Sequence, residues 1–309
     1  MEKIKIVCVV GATASGKTAL GVELAKRLNG EIISADSMQV YKGMPVATAA
    51  ATEQEQLGIP HHLLEFLDVS KTFSVADFVA LAKEKAQEIA ARGRVPIVVG
   101  GTGLFIDSLV NNLTFSEVGA DTALRERLAQ ETNEALYAEL CAVDEAAAKE
   151  IHPNNRKRVI RALELYYGGV SKTQQNEASH REKSPFEALY LGITYRDREK
   201  LYDRINRRVD AMVQNGLLEE AKAMLNLSGV TARQAIGHKE LQPYFSGDIS
   251  LDEALDNLKR ETRRYAKRQL TWFRRNESVI WLYADEQDGE ALYDAAEQAA
   301  KEFLGGFEQ

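Results

Sequence analysis

The sequence predicts an α/β protein, a parallel sheet covered by helices on both faces, with an all-helical insertion near the middle of the chain. Three observations predict it. Near-continuous runs of β-branched residues at 4–10 and 95–99 have the composition of strands buried on both faces. Segments with apolar residues at the helical period follow the strands, so strand and helix alternate. Residues 116–184 carry helical patterns only, before a strand pattern returns at 188–194. These bounds divide the chain into a core of residues 1–115 and 185–309, mostly helical in its C-terminal part, and a helical insertion of residues 116–184.

The first strand, 4–10, is followed by a helix from Lys17, with Leu20, Leu24 and Leu28 spaced by four and Asn29-Gly30 as its stop. Residues 31–34 make a short second strand. Ser74 is placed to cap a helix whose Val75, Phe78, Val79, Ala82, Ala86 and Ile89 repeat at the helical period and which ends at Gly93. The strand at 95–99 runs into Gly100-Gly101. In the insertion, helices are expected over 121–140, 144–151 and 156–167, the last closed by Gly168-Gly169, with 171–185 as a polar, mobile return. Ser250 and Glu253 form a capping box that opens a long helix to about Arg275. A strand at 279–283 and a terminal helix complete the core.

With 309 residues, 45% hydrophobic and 28% charged, the chain has a core to bury. No apolar stretch approaches the ~18 residues of a membrane span, and the opening run carries no cleavage pattern of a signal peptide. Two cysteines make no disulfide framework, and Cys8 and Cys141 read as small buried hydrophobes. A cytoplasmic protein is expected, monomeric by default and without a membrane partner. His61 and His62 are adjacent, so on a strand they point to opposite faces and make a poor metal pair.

Net charge is −7, from 39 basic and 46 acidic residues, but its distribution is uneven. Between 256 and 275 stand Lys259, Arg260, Arg263, Arg264, Lys267, Arg268, Arg274 and Arg275 against two acids, Asp256 and Glu261. A second cluster is Arg156, Lys157, Arg158 and Arg161. An acidic protein with two basic faces is compatible with an RNA ligand.

The chemistry is carried by Gly11-Ala12-Thr13-Ala14-Ser15-Gly16-Lys17-Thr18, a full G-x-x-x-x-G-K-[ST] match between a buried strand and a helix start. The sheet is therefore read as P-loop NTPase-like. Glycines let successive N–H groups curl around phosphate oxygens, the helix N-terminus adds partial positive charge, and Lys17 adds a full one. The Thr18 hydroxyl is placed to ligate Mg²⁺. The motif implies a bound di- or triphosphate without saying which. An NTPase usually carries an acid at the end of a second buried strand; here 96–99 runs into Gly100-Gly-Thr102-Gly103 with none. Asp36 is the first acid past the second strand, in the crevice where such sheets bind ligands. It reads as a metal-shell ligand, an acceptor for a substrate proton, or a helix cap.

The combination of segments resembles the bacterial tRNA dimethylallyltransferases, the tRNA isopentenyl transferase family. The resemblance is carried by the P-loop, by Ile32-Ile-Ser-Ala-Asp36-Ser37-Met38-Gln39-Val-Tyr-Lys-Gly43, Gly58-Ile-Pro-His-His62, Phe73-Ser-Val-Ala-Asp-Phe78 and Pro96-Ile-Val-Val-Gly-Gly-Thr102-Gly-Leu104. Further on it is carried by Ile151-His-Pro-Asn154, Arg158-Val-Ile-Arg161-Ala-Leu-Glu164, Gln234-Ala-Ile-Gly237 and Thr262-Arg-Arg264-Tyr-Ala-Lys267-Arg268-Gln-Leu-Thr-Trp272-Phe273. It runs nearly end to end, outside the insertion's interior and the last twenty or so residues. Residues 45–52 read Pro-Val-Ala-Thr-Ala-Ala-Ala-Thr where the family has a Gly-Thr-Ala-Lys-Pro stretch, and His238 stands for a usual tyrosine.

The resemblance implies transfer of a dimethylallyl group from dimethylallyl diphosphate to the exocyclic amine of the adenosine 3′ of the anticodon in tRNA. The P-loop would then grip a diphosphate leaving group, with Lys17 and Mg²⁺ at Thr18 countering its charge. Asp36 is assigned as general base and Thr102 as its partner. Ser37, Met38 and Gln39 would line the base pocket. Arg260, Arg264, Lys267 and Arg268 share one helical face and, with Arg274 and Trp272, would hold the anticodon stem-loop. Lys157, Arg158 and Arg161 would grip its other side, and Gln234, Gly237 and Lys239 would add contacts. The rival readings are a small-molecule kinase, an enzyme prenylating free adenine nucleotides, and an RNA-binding protein with a vestigial P-loop.

Overall fold

A computed structural model describes residues 3–116, 121–179, 183–225, 229 and 231–305. Among them, six strands form one all-parallel sheet: β1 (Ile4–Gly11), β2 (Gly30–Ser34), β3 (His61–His62), β4 (Val95–Gly100), β5 (Phe186–Thr194) and β6 (Val279–Tyr283). Their order is β3-β2-β4-β1-β5-β6, which leaves β1 central, with Val10 in register with Gly100 of β4 and Gly192 of β5. Ile6, Val7, Val9 and Val10 are fully buried, which explains a β-branched run with no polar alternation. Each such side chain contributes about 1.5–3 kcal/mol by leaving water.

Along the first half of the core come α1 (Lys17–Arg27), α2 (Pro45–Thr48), α3 (Glu53–Gln56), α4 (Val75–Ala91) and α5 (Gly103–Val110). Asn29, at φ +50°, makes the left-handed turn from α1 into β2. α4 begins with a complete capping box between Ser74 and Asp77 and buries Phe78, Val79, Ala82, Ala86 and Ile89, the periodic set read from the sequence except Val75, which at the first turn is only partly buried.

Residues Asn111–Ser184 form a second compact unit, all helical: α6 (Thr122–Gln130), α7 (Asn133–Val143), α8 (Glu145–Glu150), α9 (Arg156–Tyr167) and α10 (Lys172–Ser179). Leu128, Leu136, Leu140, Ile151, Val159 and Leu163 are its core. Two expectations change here. The single helix expected over 121–140 is broken in two, because Thr132 takes an extended conformation and its side chain caps the N–H of Ala135. The segment expected as a polar return contains α10, started by reciprocal Ser171 and Gln174 hydrogen bonds and tied to Asp144 through Thr173. Residues 180–182 of that segment lie outside the described residues.

The second half of the core adds α11 (Arg198–Gln214), α12 (Leu217–Met224), α13 (His238–Phe245), α14 (Leu251–Phe273) and α15 (Gly289–Gly305). Ser250 caps α14 through the N–H of Glu253. Cys8 is buried in β1 as expected, whereas Cys141 is exposed on α7. Among the described residues no helix is long and apolar enough to cross a membrane.

Candidate active site

The site is assembled at the carboxyl ends of β1, β2 and β4, where a parallel sheet leaves its crevice. The P-loop's backbone is dictated by close approach. Gly11 sits at φ +148°, and a Cβ there would fall 2.4 Å from the carbonyl of Ile193. Gly16, at φ +107°, opens α1 with no side-chain cap, so the first N–H groups of that helix are left for a ligand. Lys17 Nζ donates to the carbonyl of Ala12 at 2.6 Å. Burial, then the neighbouring Arg208, push its pKa down to about 8, against a smaller opposing effect of Asp36.

Asp36 follows β2 directly. Its Oδ1 accepts the N–H groups of Met38 (2.9 Å) and Gln39 (3.4 Å), so one of its oxygens caps a turn over 37–40, not the helix that the sequence left open. Gly100 packs so tightly on the end of β2 that a Cβ would lie 2.1 Å from the carbonyl of Ala35. That approach brings Thr102 over the Asp36 turn, where its Oγ1 accepts the N–H of Ser37 at 3.1 Å. Tyr265 stands beside Thr102, where burial and, second, the nearby Asp36 raise its pKa.

Two cavities open from this point. The first, about 300 Å³, is lined by Thr13, Asp36, Ser37, Met38, Gln39, Gln234, Lys239, Tyr265, Arg268 and Gln269 among others. The second, about 960 Å³, is lined by Ala14, Gly16, Pro45, Val46, Arg204 and Arg207 among others. They share Lys17, Thr18, Ala49, Arg208 and Met212. The partition beside them is α2. Its N-terminus is held by Glu220, whose carboxylate accepts the N–H groups of Val46 (2.7 Å) and Ala47 (2.9 Å) and the Nε2 side of His238 (2.9 Å). Its C-terminus is held by Gln39, whose Nε2 donates to the carbonyls of Thr48 and Ala49.

Several expected site residues also make contacts within the scaffold. Gln39 is committed to α2 and to Ser34. Gly237 is a buried helix cap at φ +112° and does not line the cavity. Trp272, expected to stack on RNA, donates its Nε1 to Asp107 at 2.6 Å, covers Gly103, and carries Arg275 over its ring at 4.4 Å. Lys267, Arg268 and Arg274 are exposed on α14, and Arg264 is exposed but paired with Glu261 at 2.6 Å. In the helical unit, Lys157 and Arg158 are exposed on α9, and Arg161 pairs with Glu164.

The structure adds residues that the sequence reading omitted: Arg208 on α11, and Tyr265 and Gln269 on the inner face of α14. Arg208 makes no hydrogen bond or ion pair among the described residues and stands where the two cavities meet. Its signal was the stripe Arg204, Arg207 and Arg208, obscured by the interleaved Glu199, Asp203 and Asp210. Among the described residues no group of three acidic, histidine or cysteine side chains forms a metal cage. Thr18 and Asp36 do line one cavity together, a donor set that suits Mg²⁺ shared with substrate phosphates.

Comparison with known proteins agrees with this geometry. Residues 39–276 match the model of the IPP transferase family. The tRNA dimethylallyltransferase of Bacillus subtilis (strain 168) is 48% identical over 286 residues, 91% of each chain. The crystal structure of the full-length tRNA isopentenylpyrophosphate transferase of Bacillus halodurans covers 98% of both chains at 44% identity, with a TM-score of 0.74. A eukaryotic dimethylallyltransferase acting on tRNA superposes with a TM-score of 0.85 at 29% identity, over 99% of this chain and 81% of that one.

Proposed function

This chain belongs to the IPP transferase family, and we propose that it moves a dimethylallyl group from dimethylallyl diphosphate to the exocyclic amine of the adenosine 3′-adjacent to the anticodon in tRNA. It acts as a cytoplasmic monomer that needs Mg²⁺. The observation that carries the reading is the meeting of two cavities at Lys17, Thr18 and Arg208. One has phosphate-binding walls, and the other has a carboxylate and an exposed basic helix at its rim.

The donor's diphosphate lies on the N–H groups opening α1, with the Lys17 ammonium and the unpaired Arg208 guanidinium beside it. The bond between the allylic carbon and the diphosphate oxygen breaks, and its electron pair leaves with the diphosphate. Lys17 and Arg208 stabilise that charge as it develops, in a site shielded from water. Thr18, with Asp36 in the same cavity, would hold a Mg²⁺, which when bound would supply further charge neutralisation on the leaving group. The amine nitrogen forms the new bond to the allylic carbon, and its proton passes to the Asp36 oxygen not used in capping. Thr102 keeps the Asp36 turn in place through Ser37. Reaching this pocket takes the adenine out of its stack, at about a few kcal/mol, which phosphate contacts along Arg264, Lys267 and Arg268 offset.

The test is a transfer assay with labelled donor, Mg²⁺ and unmodified tRNA, run beside free AMP. Prenylated tRNA and no prenylated AMP is the expected result. Turnover of ATP on a metabolite, with no transfer to tRNA, would replace this reading with a kinase.

A further inference from the structure

We propose that Gln269 is a positioning residue for the transfer, its carboxamide fixing the spacing between the loop that holds the diphosphate and the turn that carries Thr102. The inference rests on the reading above. Gln269 is buried, 5% exposed, and spends its two ends on two different elements. Its Oε1 accepts the N–H of Thr13 in the P-loop at 2.8 Å, and its Nε2 donates to the carbonyl of Gly101 at 3.0 Å. The fit leaves no slack, since a Cβ on Gly101 would fall 2.0 Å from Nε2.

Tyr265, one turn earlier on the same face of α14, stands beside Thr102 and lines the same cavity as Asp36 and Gln269. Thr102 in turn accepts from Ser37. A hydrogen-bonded link therefore runs from Thr13 through Gln269 to Gly101, and the next residue, Thr102, holds the turn of Asp36 through Ser37. It joins the donor-side loop to the strand end that carries the acceptor-side Thr102. The sheet fixes where β1 and β4 end, but the loops beyond strand ends keep their own freedom. The link removes that freedom. Packing alone is a poor account of this side chain, because a buried carboxamide costs free energy unless both its ends are paired, and an apolar residue of that length would fill the same space. Both partners here are backbone groups of the two substrate-holding loops.

Gln269→Met keeps the volume and deletes both hydrogen bonds; Gln269→Glu keeps the acceptor toward Thr13 and loses the donor toward Gly101. The measurements are thermal unfolding, dissociation constants for pyrophosphate and for tRNA, and single-turnover rates at saturating substrates. Gln269→Met is expected to fold, to bind pyrophosphate and tRNA within about threefold of wild type, and to react roughly 10²-fold more slowly, with Gln269→Glu intermediate. A wild-type single-turnover rate in folded Gln269→Met overturns the proposal, as does a loss confined to the KM of either substrate. If Gln269→Met does not fold, Gln269→Glu decides, and a wild-type rate there overturns it. Wild-type protein that binds pyrophosphate and transfers nothing to tRNA would overturn the functional reading and this proposal with it, a failure separable from the others.

Discussion

Lys17 Nζ donates to the carbonyl of Ala12 at 2.6 Å, so the ammonium that must meet a diphosphate is turned onto the backbone of its own loop. Burial and Arg208 hold its pKa down at about 8, which puts its loss of charge within reach of ordinary assay conditions. An anionic ligand binds the charged form. Below pH about 8 the ammonium is already protonated and affinity is flat; above it, binding must first add a proton.

Affinity for dimethylallyl diphosphate without tRNA should therefore fall by about tenfold per pH unit above pH 8. Titration calorimetry at several pH values checks this. Lys17→Ala should bind weakly throughout and show no break near pH 8.

In the proposed reaction Asp36 serves two ends with two oxygens, and the roles separate by substitution. Asp36→Asn keeps an acceptor for the N–H groups of Met38 and Gln39 and removes the base. It should unfold at the wild-type temperature and lose about 10²–10⁴-fold in single-turnover rate. Asp36→Ala should lose the same rate and also about 1 kcal/mol of stability.

Glu220 satisfies two backbone N–H groups of α2 and the imidazole of His238, all within a buried wall of the site. Glu220→Ala should cost about 1–3 kcal/mol in denaturant unfolding, because it leaves buried donors unpaired. The catalytic rate should fall as well, since α2 divides the two cavities.

The exposed face of α14 predicts a salt signature. Lys267→Ala and Arg268→Ala should each weaken tRNA binding and lower the slope of log affinity against log salt by about one. KM for the donor should stay within about twofold. Trp272→Ala should act differently, reducing thermal stability through the lost Asp107 hydrogen bond and the uncovered Gly103, with the salt slope unchanged.

What could be read from the sequence was what local spacing encodes. The P-loop, the central strands and the cap of α4 depend on residues a few positions apart, and they stand where the pattern put them. The break at Thr132 was lost because one capping side chain interrupts an otherwise unbroken apolar period, and the helix after Ser171 because its residues carry almost no apolar period to read. Arg208, Tyr265 and Gln269 were not legible for another reason. The partners of Gln269 lie 168 and 256 positions away along the chain, and Arg208 and Tyr265 meet the P-loop and Asp36 only because the sheet order brings those segments together. The basic residues of α14 were legible as a charged face, whereas the role of Trp272 depends on Asp107 and Gly103, which no spacing rule connects to it.

The proposed reaction has donor and acceptor meeting from opposite sides across Lys17, Thr18 and Arg208. It is tested most directly by dimethylallyl diphosphate made chiral at its reacting carbon with a single deuterium. Direct attack by the adenosine amine from the side opposite the diphosphate predicts inversion at that carbon in the modified nucleoside. Retention would mean two successive displacements through a covalent enzyme intermediate, and would contradict an account in which the two cavities hold the reactants face to face.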